Sequence, residues 1–359
     1  DIFRRYGNQI MVKKNSLVKN ASILMIATII SRIIGLIYRR PLGEILGSVG
    51  LGYYGYASNL YSILLLVSSY SIPMAVSKIV SERLAKKEYK NAAQIFKTAL
   101  IYAVVVGGAA ALVAFFGGSI LLPSNQQNAL PALRVLAPTI FLSAILGVLR
   151  GYFQAHHNMT PTSISQVLEQ IMNAVVSILA AWILVNSLGA GSVEKTAVYG
   201  AVGGTLGTSA GVIVGLIFML FVYFLNKKTF RKRYLRDIHG KEDSYRDAFG
   251  LIFLMVTPII LTTFINNASN YLDSYLYAGI QGMHGINANS ISAAYGEFSN
   301  YYIPVINIPL ALASASTSAM MPEVSGYFAV GDNKSANSSI NKTIKLTMFI
   351  CIPATVGLT

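Results

Sequence analysis

Long apolar stretches recur along the whole chain, and they restrict its possible folds more than any other feature. A helix needs about 20 apolar residues to cross the roughly 30 Å hydrocarbon core of a bilayer. In lipid, only helices and closed barrels satisfy all of their own backbone hydrogen bonds. The pattern predicts an all-α polytopic membrane protein. The nine predicted spans are 17–42, 52–80, 92–121, 131–154, 162–188, 197–226, 247–279, 289–322 and 338–359.

The charge content agrees with this interpretation. Charged residues make up 12% of the chain and hydrophobic residues 54%. A water-soluble domain carries about 25% charged residues, because most of its surface faces water. The low charge therefore indicates that much of the surface faces lipid.

The distribution of lysine and arginine predicts the orientation in the membrane. If the N-terminus is cytoplasmic, 21 of the 28 basic residues belong to cytoplasmic segments, and the outer loops contain only Lys195. Cytoplasmic loops of membrane proteins are enriched in lysine and arginine. We therefore expect a multi-pass protein with a cytoplasmic N-terminus.

A basic segment divides the chain into two predicted lobes. Pro73–Ser77 has a weak echo in Pro322–Ser325, and paired lobes around a central substrate cavity are common in transporters. We expect two pseudo-symmetric helical lobes, the second incomplete in this chain. The predicted segments are an N-terminal tail at 1–16, of which 1–10 precede a natural start at Met11, a six-helix N-lobe at 17–226, a basic cytoplasmic linker at 227–246, and a C-lobe of about three helices at 247–359.

Six basic residues lie in or at the ends of the predicted spans. A central arginine or lysine costs at least about 2.5–3.5 kcal/mol on insertion scales, so it usually faces a cavity or a partner. Arg32 is in the middle of its span, which favours a cavity role, and Arg39 lies seven residues later on the same helical face. Near a span end, the alternative is that the side chain reaches the lipid headgroups. The six are Arg32, Arg39, Arg40, Lys78, Arg134 and Arg150.

Acidic residues in the predicted spans are fewer. Asp273 ends the oxygen-rich segment 266–273, and it could coordinate a monovalent cation or pair with an arginine. Glu169 is interpreted as a packing and hydrogen-bonding residue rather than a proton carrier. A cavity lined by guanidinium groups suits phosphate, which arginine binds with two parallel hydrogen bonds.

Other motifs indicate packing rather than chemistry. Every fourth residue from 203 to 215 is glycine, a spacing that allows close helix–helix contact, and the residues are Gly203, Gly207, Gly211 and Gly215. No metal site is expected at His156-His157, and the single Cys351 excludes an internal disulfide. The sequence contains no phosphate-binding glycine loop or serine elbow. We therefore predict no catalytic residues and no organic cofactor.

Several segments together resemble one transporter superfamily. The order and spacing of these segments resemble the polysaccharide-exporter and lipid-flippase branch of the multidrug/oligosaccharidyl-lipid/polysaccharide (MOP) superfamily, in particular its stage V sporulation protein B-like and MurJ-like lipid II flippases. The segments are Ser31–Gly35, Arg150–Gln154, Met159–Gln166, Glu169-Gln170, Pro322–Ser325, Gly331-Asp332 and Ile352–Leu358.

The resemblance implies two six-helix lobes, a lipid-pyrophosphate sugar substrate and alternating access driven by membrane potential or an ion gradient. It carries the family's first-helix arginine over to Arg32 and its seventh-helix aspartate to Asp273. A second cavity arginine falls near Tyr38, where Arg39 could replace it on a shifted face. Asn173 stands where close relatives often carry arginine. Sodium coordination in the family uses later helices that this chain lacks.

The sequence therefore predicts a flippase that moves an undecaprenyl-pyrophosphate-linked cell-wall or polysaccharide precursor across the bacterial cytoplasmic membrane. Arg32, Arg39, Arg150 and Lys78 are the candidate substrate-binding residues, and Asp273 is the candidate ion-coupling residue. The expected partners are the lipid-linked substrate, the bilayer and cell-wall synthases, but no nucleic acid, and the coupling ion would be sodium or a proton. Two alternatives remain: a cation-coupled multidrug exporter of the same superfamily and a non-transporting scaffold for cell-wall synthesis.

Overall fold

The computed structural model describes residues 23–24, 26–189, 192–235, 237, 244–307, 309, 324 and 332–358. Within these ranges the regular structure is helical and includes no strand. The predicted tail at 1–16 lies outside the described residues, as do Gly331 and most of the 322–325 segment. The main helices are α1 (Ile26–Ile37), α2 (Arg39–Leu65), α3 (Ile72–Ala85), α4 (Tyr89–Leu121), α5 (Leu130–Ala155), α6 (Thr160–Leu188), α7 (Val193–Tyr234), α8 (Tyr245–Met283), α9 (Ala288–Glu297) and α10 (Asn333–Leu358).

Five segments in the described ranges are long and apolar enough to cross a membrane: Tyr89–Leu121, Ser124–Ala155, Thr160–Leu188, Val193–Tyr234 and Tyr245–Thr262. They confirm a polytopic α-helical membrane protein. The other predicted spans do not meet the same criterion. Part of the reason is composition, since α2 is rich in glycine and tyrosine, and part is that long sections of 308–331 are not described.

The first predicted outer loop, residues 43–51, lies within α2 and contains one non-helical residue, Gly47, rather than a stretch of coil. Tyr38 keeps right-handed helical angles, and Tyr38 N donates to Ile34 O while Leu42 N donates to Tyr38 O. The helical register therefore continues from α1 into α2. The break comes at Gly47, whose φ of 66° lies in the left-handed region that favours glycine. The helix is kinked there, with almost no loop.

Two apolar clusters form the core. One joins buried residues of α3, α4, α5, α7 and the first turns of α8, including Ile95, Phe153 and Ile252. The other joins α2, α4, α5, α7, the end of α8 and α9, including Tyr53, Leu133 and Ile291. Both ends of α8 therefore pack against the first six predicted spans.

The predicted linker at 227–246 begins inside a helix. Helix α7 has 42 residues and continues through the basic residues to Tyr234, and α8 begins at Tyr245. By internal contacts, the chain divides into two compact units, Asp1–Gly296 and Glu297–Thr359. That boundary lies inside the predicted C-lobe rather than in the basic segment, because α8 and α9 pack on the N-lobe helices. The lobe bounds stay a prediction.

Helix α7 packs closely against α6 through its glycines. A Cβ at Gly203 would overlap the backbone of Ala181, and one at Gly207 would overlap Ser177 Oγ. A Cβ at Gly211 would lie 2.5 Å from Glu169 O. Since a side chain would overlap α6 at these positions, the spacing of glycines sets how near the two helices lie.

Candidate functional site

Arg32 lies on α1 with an exposed side chain. Among the described residues it forms no ion pair or hydrogen bond. Arg39 is half-buried at the start of α2, and the unbroken register through Tyr38 keeps it on the same side of the helix as Arg32. This segment therefore presents the unpaired guanidinium group of Arg32 and, two turns further along, the half-buried side chain of Arg39.

One side of α1 packs against α6. A Cβ at Gly35 would lie 3.2 Å from Gln170 Nε2, so a larger residue there would require the Gln170 side chain to shift. Ser31 Oγ and Gln166 Oε1 are buried without a hydrogen-bond partner. Tyr38 is 7% exposed, and Asn173 Nδ2 donates to its hydroxyl over 3.4 Å. Arg32 remains exposed beside this contact, one helical turn from Gly35.

The resemblance implies that relatives carry arginine near the position of Tyr38 and often at that of Asn173. In this structure the two side chains contact each other. Ser177 Oγ donates to Asn173 Oδ1 over 3.0 Å and to Gly204 O over 2.8 Å. Thr208 Oγ1 lies 3.5 Å from the same Asn173 oxygen. This neutral polar network joins α2, α6 and α7, and it was not predicted from the sequence. The only indication of it in the sequence is the presence of polar residues on otherwise apolar helices.

Arg150 has a different environment from Arg32. Its Nη2 donates to Glu169 Oε2 over 2.7 Å, and its Nε donates to Ser165 Oγ over 2.9 Å. The two side chains are 15% and 28% exposed, and Gly215 of α7 leaves room for them. The charge of Arg150 is therefore balanced within the protein, which makes Arg150 a weaker candidate for binding an anion than Arg32.

The other basic residues lie on the surface. Lys78 on α3 and Arg134 on α5 are exposed, and Arg134 lies over the ring of Phe115, 5.7 Å from its centroid. Arg40 and Glu44 form an exposed ion pair of 3.6 Å on α2. The structure thus brings Arg32 and Arg39 onto one helical segment, and it places Lys78 and Arg150 on other helices.

Asp273 has an exposed side chain on α8. Its neighbours in the chain contact α2, since Asn59 Nδ2 donates to Asn270 O and to Ser274 Oγ, each over 3.0 Å. The described His, Cys, Asp and Glu residues form no group of three that could hold a metal ion. Asp273 is therefore a single accessible carboxylate beside a polar contact between helices.

A dense polar interface lies at the end of the bundle that contains the α4–α5 turn. Asn125 Nδ2 donates to Ala278 O over 2.8 Å, and Gln126 Nε2 donates to Ala288 O over 3.2 Å. Gln126 is fully buried and also accepts a hydrogen bond from Ser292 Oγ. We call this contact of residues 125–128 with α8 and α9 the turn interface. It was not predicted, because the partners are about 150 positions apart in sequence.

Aromatic and glycine contacts extend the turn interface along α2 and α9. Tyr53 OH donates to Asn289 Oδ1 over 2.9 Å and accepts from Asn128 Nδ2 over 3.1 Å. Tyr56 and Tyr295 stack with centroids 4.3 Å apart. A Cβ at Gly296 would lie 2.5 Å from Gly52 N, so the two helices cross at van der Waals contact of their backbones. These contacts hold α2 and α9 closely together beside the α4–α5 turn.

Two curated proteins are similar to this chain over most of its length. It is 26% identical over 357 residues to the lipid II flippase MurJ of Bacillus subtilis, covering 96% of this chain and 64% of that protein. It is 26% identical over 321 residues to stage V sporulation protein B of the same organism, covering 87% and 58%. The chain thus spans about three fifths of the length of these curated relatives.

Solved structures show the fold. An outward-facing structure of a multidrug resistance MATE family transporter of the MOP superfamily matches with a TM-score of 0.59 at 17% identity, covering 94% of this chain and 71% of that one. At this identity the similarity concerns the fold alone. The sequence profile described as polysaccharide biosynthesis protein matches residues 17–328. This chain therefore belongs to the polysaccharide biosynthesis protein family.

Proposed function

We propose that this protein is a flippase that moves an anionic, lipid-linked cell-wall or polysaccharide precursor across the bacterial cytoplasmic membrane. The observation that carries the proposal is Arg32, an arginine on an apolar helix with no partner among the described residues. Such a charge is costly in a bilayer unless an anion or a water-filled cavity compensates it. A pyrophosphate group would supply that anion, since guanidinium binds phosphate oxygens in pairs. The two flippase and sporulation relatives support the choice of substrate class.

In this proposal Arg32 and Arg39 attract the pyrophosphate and Lys78 assists at the surface. Arg150 is assigned to the Glu169 ion pair. The prenyl tail stays in lipid while the headgroup crosses between the two lobes. With the N-terminus cytoplasmic, the turn interface lies on the outer side, where it would have to separate to release the headgroup. Asp273 would bind a coupling sodium ion or proton, and cell-wall synthases would use the product.

The test is headgroup translocation in proteoliposomes that contain the full-length protein and a fluorescent undecaprenyl-pyrophosphate sugar. Arg32→Ala is expected to reduce translocation at least tenfold, since about 1.4 kcal/mol of lost binding already corresponds to a factor of ten. Arg32→Lys should keep part of the activity because it keeps the charge.

Arg134→Ala is the matched control, because it removes an exposed arginine that lies over Phe115, away from the proposed site. Normal translocation by Arg32→Ala, with equal protein in the membrane, would contradict the proposal. Efflux of a fluorescent cation would indicate the multidrug exporter instead. Pull-down of synthases without translocation would indicate the scaffold.

A further inference from the structure

The last two turns of α7 carry five basic residues that the proposed transport function does not use. None of their side chains forms an ion pair or a hydrogen bond with any described residue. Neighbours four positions apart on a helix repel each other when they carry like charges. A segment with this charge attracts an anion from outside the described residues. We call this segment the basic end of α7, and its charged residues are Lys227, Lys228, Arg231, Lys232 and Arg233.

One face of the basic end is anchored to the rest of the bundle. The Phe230 ring lies 5.1 Å from that of Tyr152 and 5.0 Å from that of His156, centroid to centroid. Lys90 Nζ lies over the ring of Tyr234 at 5.9 Å, and Lys90 N donates to Asp237 Oδ2 over 2.8 Å. These contacts hold the segment as a helix and fix which side chains point outward.

The outward face continues the lipid-facing face of the same helix. Ile217, Phe221 and Leu225 are 60%, 60% and 66% exposed, as expected of side chains in contact with acyl chains. Helical spacing places Lys228 and Lys232 on the same stripe, one and two turns beyond Leu225. The stripe therefore changes from apolar to cationic within one turn, about 5.4 Å along the helix axis. In a bilayer, that change marks the depth at which acyl chains give way to headgroups.

We propose that the basic end of α7 is a binding site for anionic phospholipid headgroups of the adjoining leaflet. The phosphodiester of a lipid such as phosphatidylglycerol supplies the missing negative charge at the depth where the lysines lie. Arg231 can bind two phosphate oxygens through its planar fork. An acidic soluble protein fits the charge as well, but it does not explain why the cationic face is continuous with an apolar one.

The experiment is native mass spectrometry of the full-length protein in detergent, titrated with phosphatidylglycerol or with neutral phosphatidylcholine. The unmodified protein is expected to prefer phosphatidylglycerol. The Lys228→Gln/Lys232→Gln variant should bind the first phosphatidylglycerol at least fivefold more weakly, because each lysine near an anionic surface contributes about a fivefold gain. Its binding of phosphatidylcholine should not change.

The charge-matched control is Lys86→Gln/Lys87→Gln, which removes two exposed lysines from the turn after α3, at the same end of the bundle. It should bind phosphatidylglycerol like the unmodified protein, and both variants should keep its melting temperature. Equal affinity of the unmodified protein for the two lipids would overturn the inference, as would equal losses in both variants. The readout does not involve translocation, so it is independent of the proposed transport function.

Discussion

Arg32 and Arg150 are both arginines on apolar helices, yet their surroundings give them different roles. Arg32 is exposed and unpaired within the described chain, so it can bind a ligand. Arg150 donates to Glu169 and Ser165, so its charge is already compensated. The spacing of charges in the sequence does not separate these two cases, because the partner of Arg150 belongs to the next helix.

Removing one member of the Arg150–Glu169 pair is expected to destabilise the protein. Glu169→Ala leaves a guanidinium group that is only 15% exposed without a counter-charge. Breaking a fully buried pair costs about 3–5 kcal/mol, and partial exposure reduces the expected cost to about 1–3 kcal/mol. The change should appear as a lower melting temperature in detergent.

The Arg150→Met/Glu169→Leu double variant is the comparison for this pair, because it removes both charges together. It should be less destabilised than either Glu169→Leu or Arg150→Met alone. If the losses in the two single variants simply add in the double variant, the pair has no coupling and this interpretation is wrong.

At the scale of elements, helix contacts are set by residues that are small rather than by residues that interact strongly. Helices α6 and α7 approach through the glycines from 203 to 215, and α2 and α9 approach through Gly52 and Gly296. In lipid, helices gain little from the hydrophobic effect, so close van der Waals packing contributes a large share of their association.

Gly207→Ala is expected to separate α6 from α7. Its added Cβ would overlap Ser177 Oγ and lie 2.5 Å from Asn173 O, and overpacking of this kind costs about 1–3 kcal/mol. Gly250→Ala on α8 is the matched control, because its Cβ would have no atom within 4 Å. A lower melting temperature for Gly207→Ala, with no decrease for Gly250→Ala, would support the packing role, and equal melting temperatures would contradict it.

The turn between α5 and α6 should make stability depend on pH. Burial lowers the pKa of His156, and the hydrogen bond to Tyr152 O opposes this effect only in part. The imidazole of the unfolded chain takes up a proton near pH 6.5, so below this pH the unfolded state binds more protons than the folded state. The free energy of unfolding is therefore highest above about pH 6.5, where His156 is neutral, and it decreases as the pH falls below this value.

We expect His156→Gln to reduce the fall in melting temperature between pH 7.5 and pH 5.5. His284→Gln is the matched control, because His284 also contacts the carbonyl four residues earlier, over 2.8 Å, but is exposed. It should keep the pH dependence of the unmodified protein. If His156→Gln keeps it as well, burial of His156 does not contribute to acid sensitivity.

At the scale of the whole molecule, the turn interface is a contact between helices of the two predicted lobes. Its contacts join the α4–α5 turn and α2 to α8 and α9, so they connect the two predicted lobes at one end. If the protein works by alternating access, these contacts must separate for the headgroup to leave on the outer side. None of them involves an ion pair, which keeps the cost of separation low.

Locking the turn interface is expected to stop transport. A Cβ at Gly282 would lie 2.9 Å from Asn125 Nδ2, so cysteines at these two positions are within reach of a short bis-methanethiosulfonate cross-linker, whose disulfide bonds can be reduced. In an Asn125→Cys/Gly282→Cys variant with Cys351→Ser, cross-linking should reduce translocation in proteoliposomes to background, and reduction should restore it. The same variant without cross-linker is the control. Transport that continues in fully cross-linked protein would show that this end need not open.

The fold class, the presence of membrane-spanning helices and the candidate arginines follow from the sequence by itself. Apolar length and helical spacing are local properties, because the geometry of one helix fixes which residues share a face. For this reason Arg32 and Arg39 could be placed on one side of the first helix, and the regular glycines could be assigned to packing, before any coordinates were considered.

Only the tertiary structure decided which charges are compensated and which helices meet at the turn interface. Arg150 forms an ion pair with Glu169 on the next helix. Asn59 donates a hydrogen bond to Asn270, 211 positions away in sequence, and Gln126 accepts one from Ser292. The linker also proved to begin as a helix, because Phe230 and Tyr234 pack against the bundle. Such partners depend on how separate helices pack, and side-chain spacing within one helix carries no information about its neighbour.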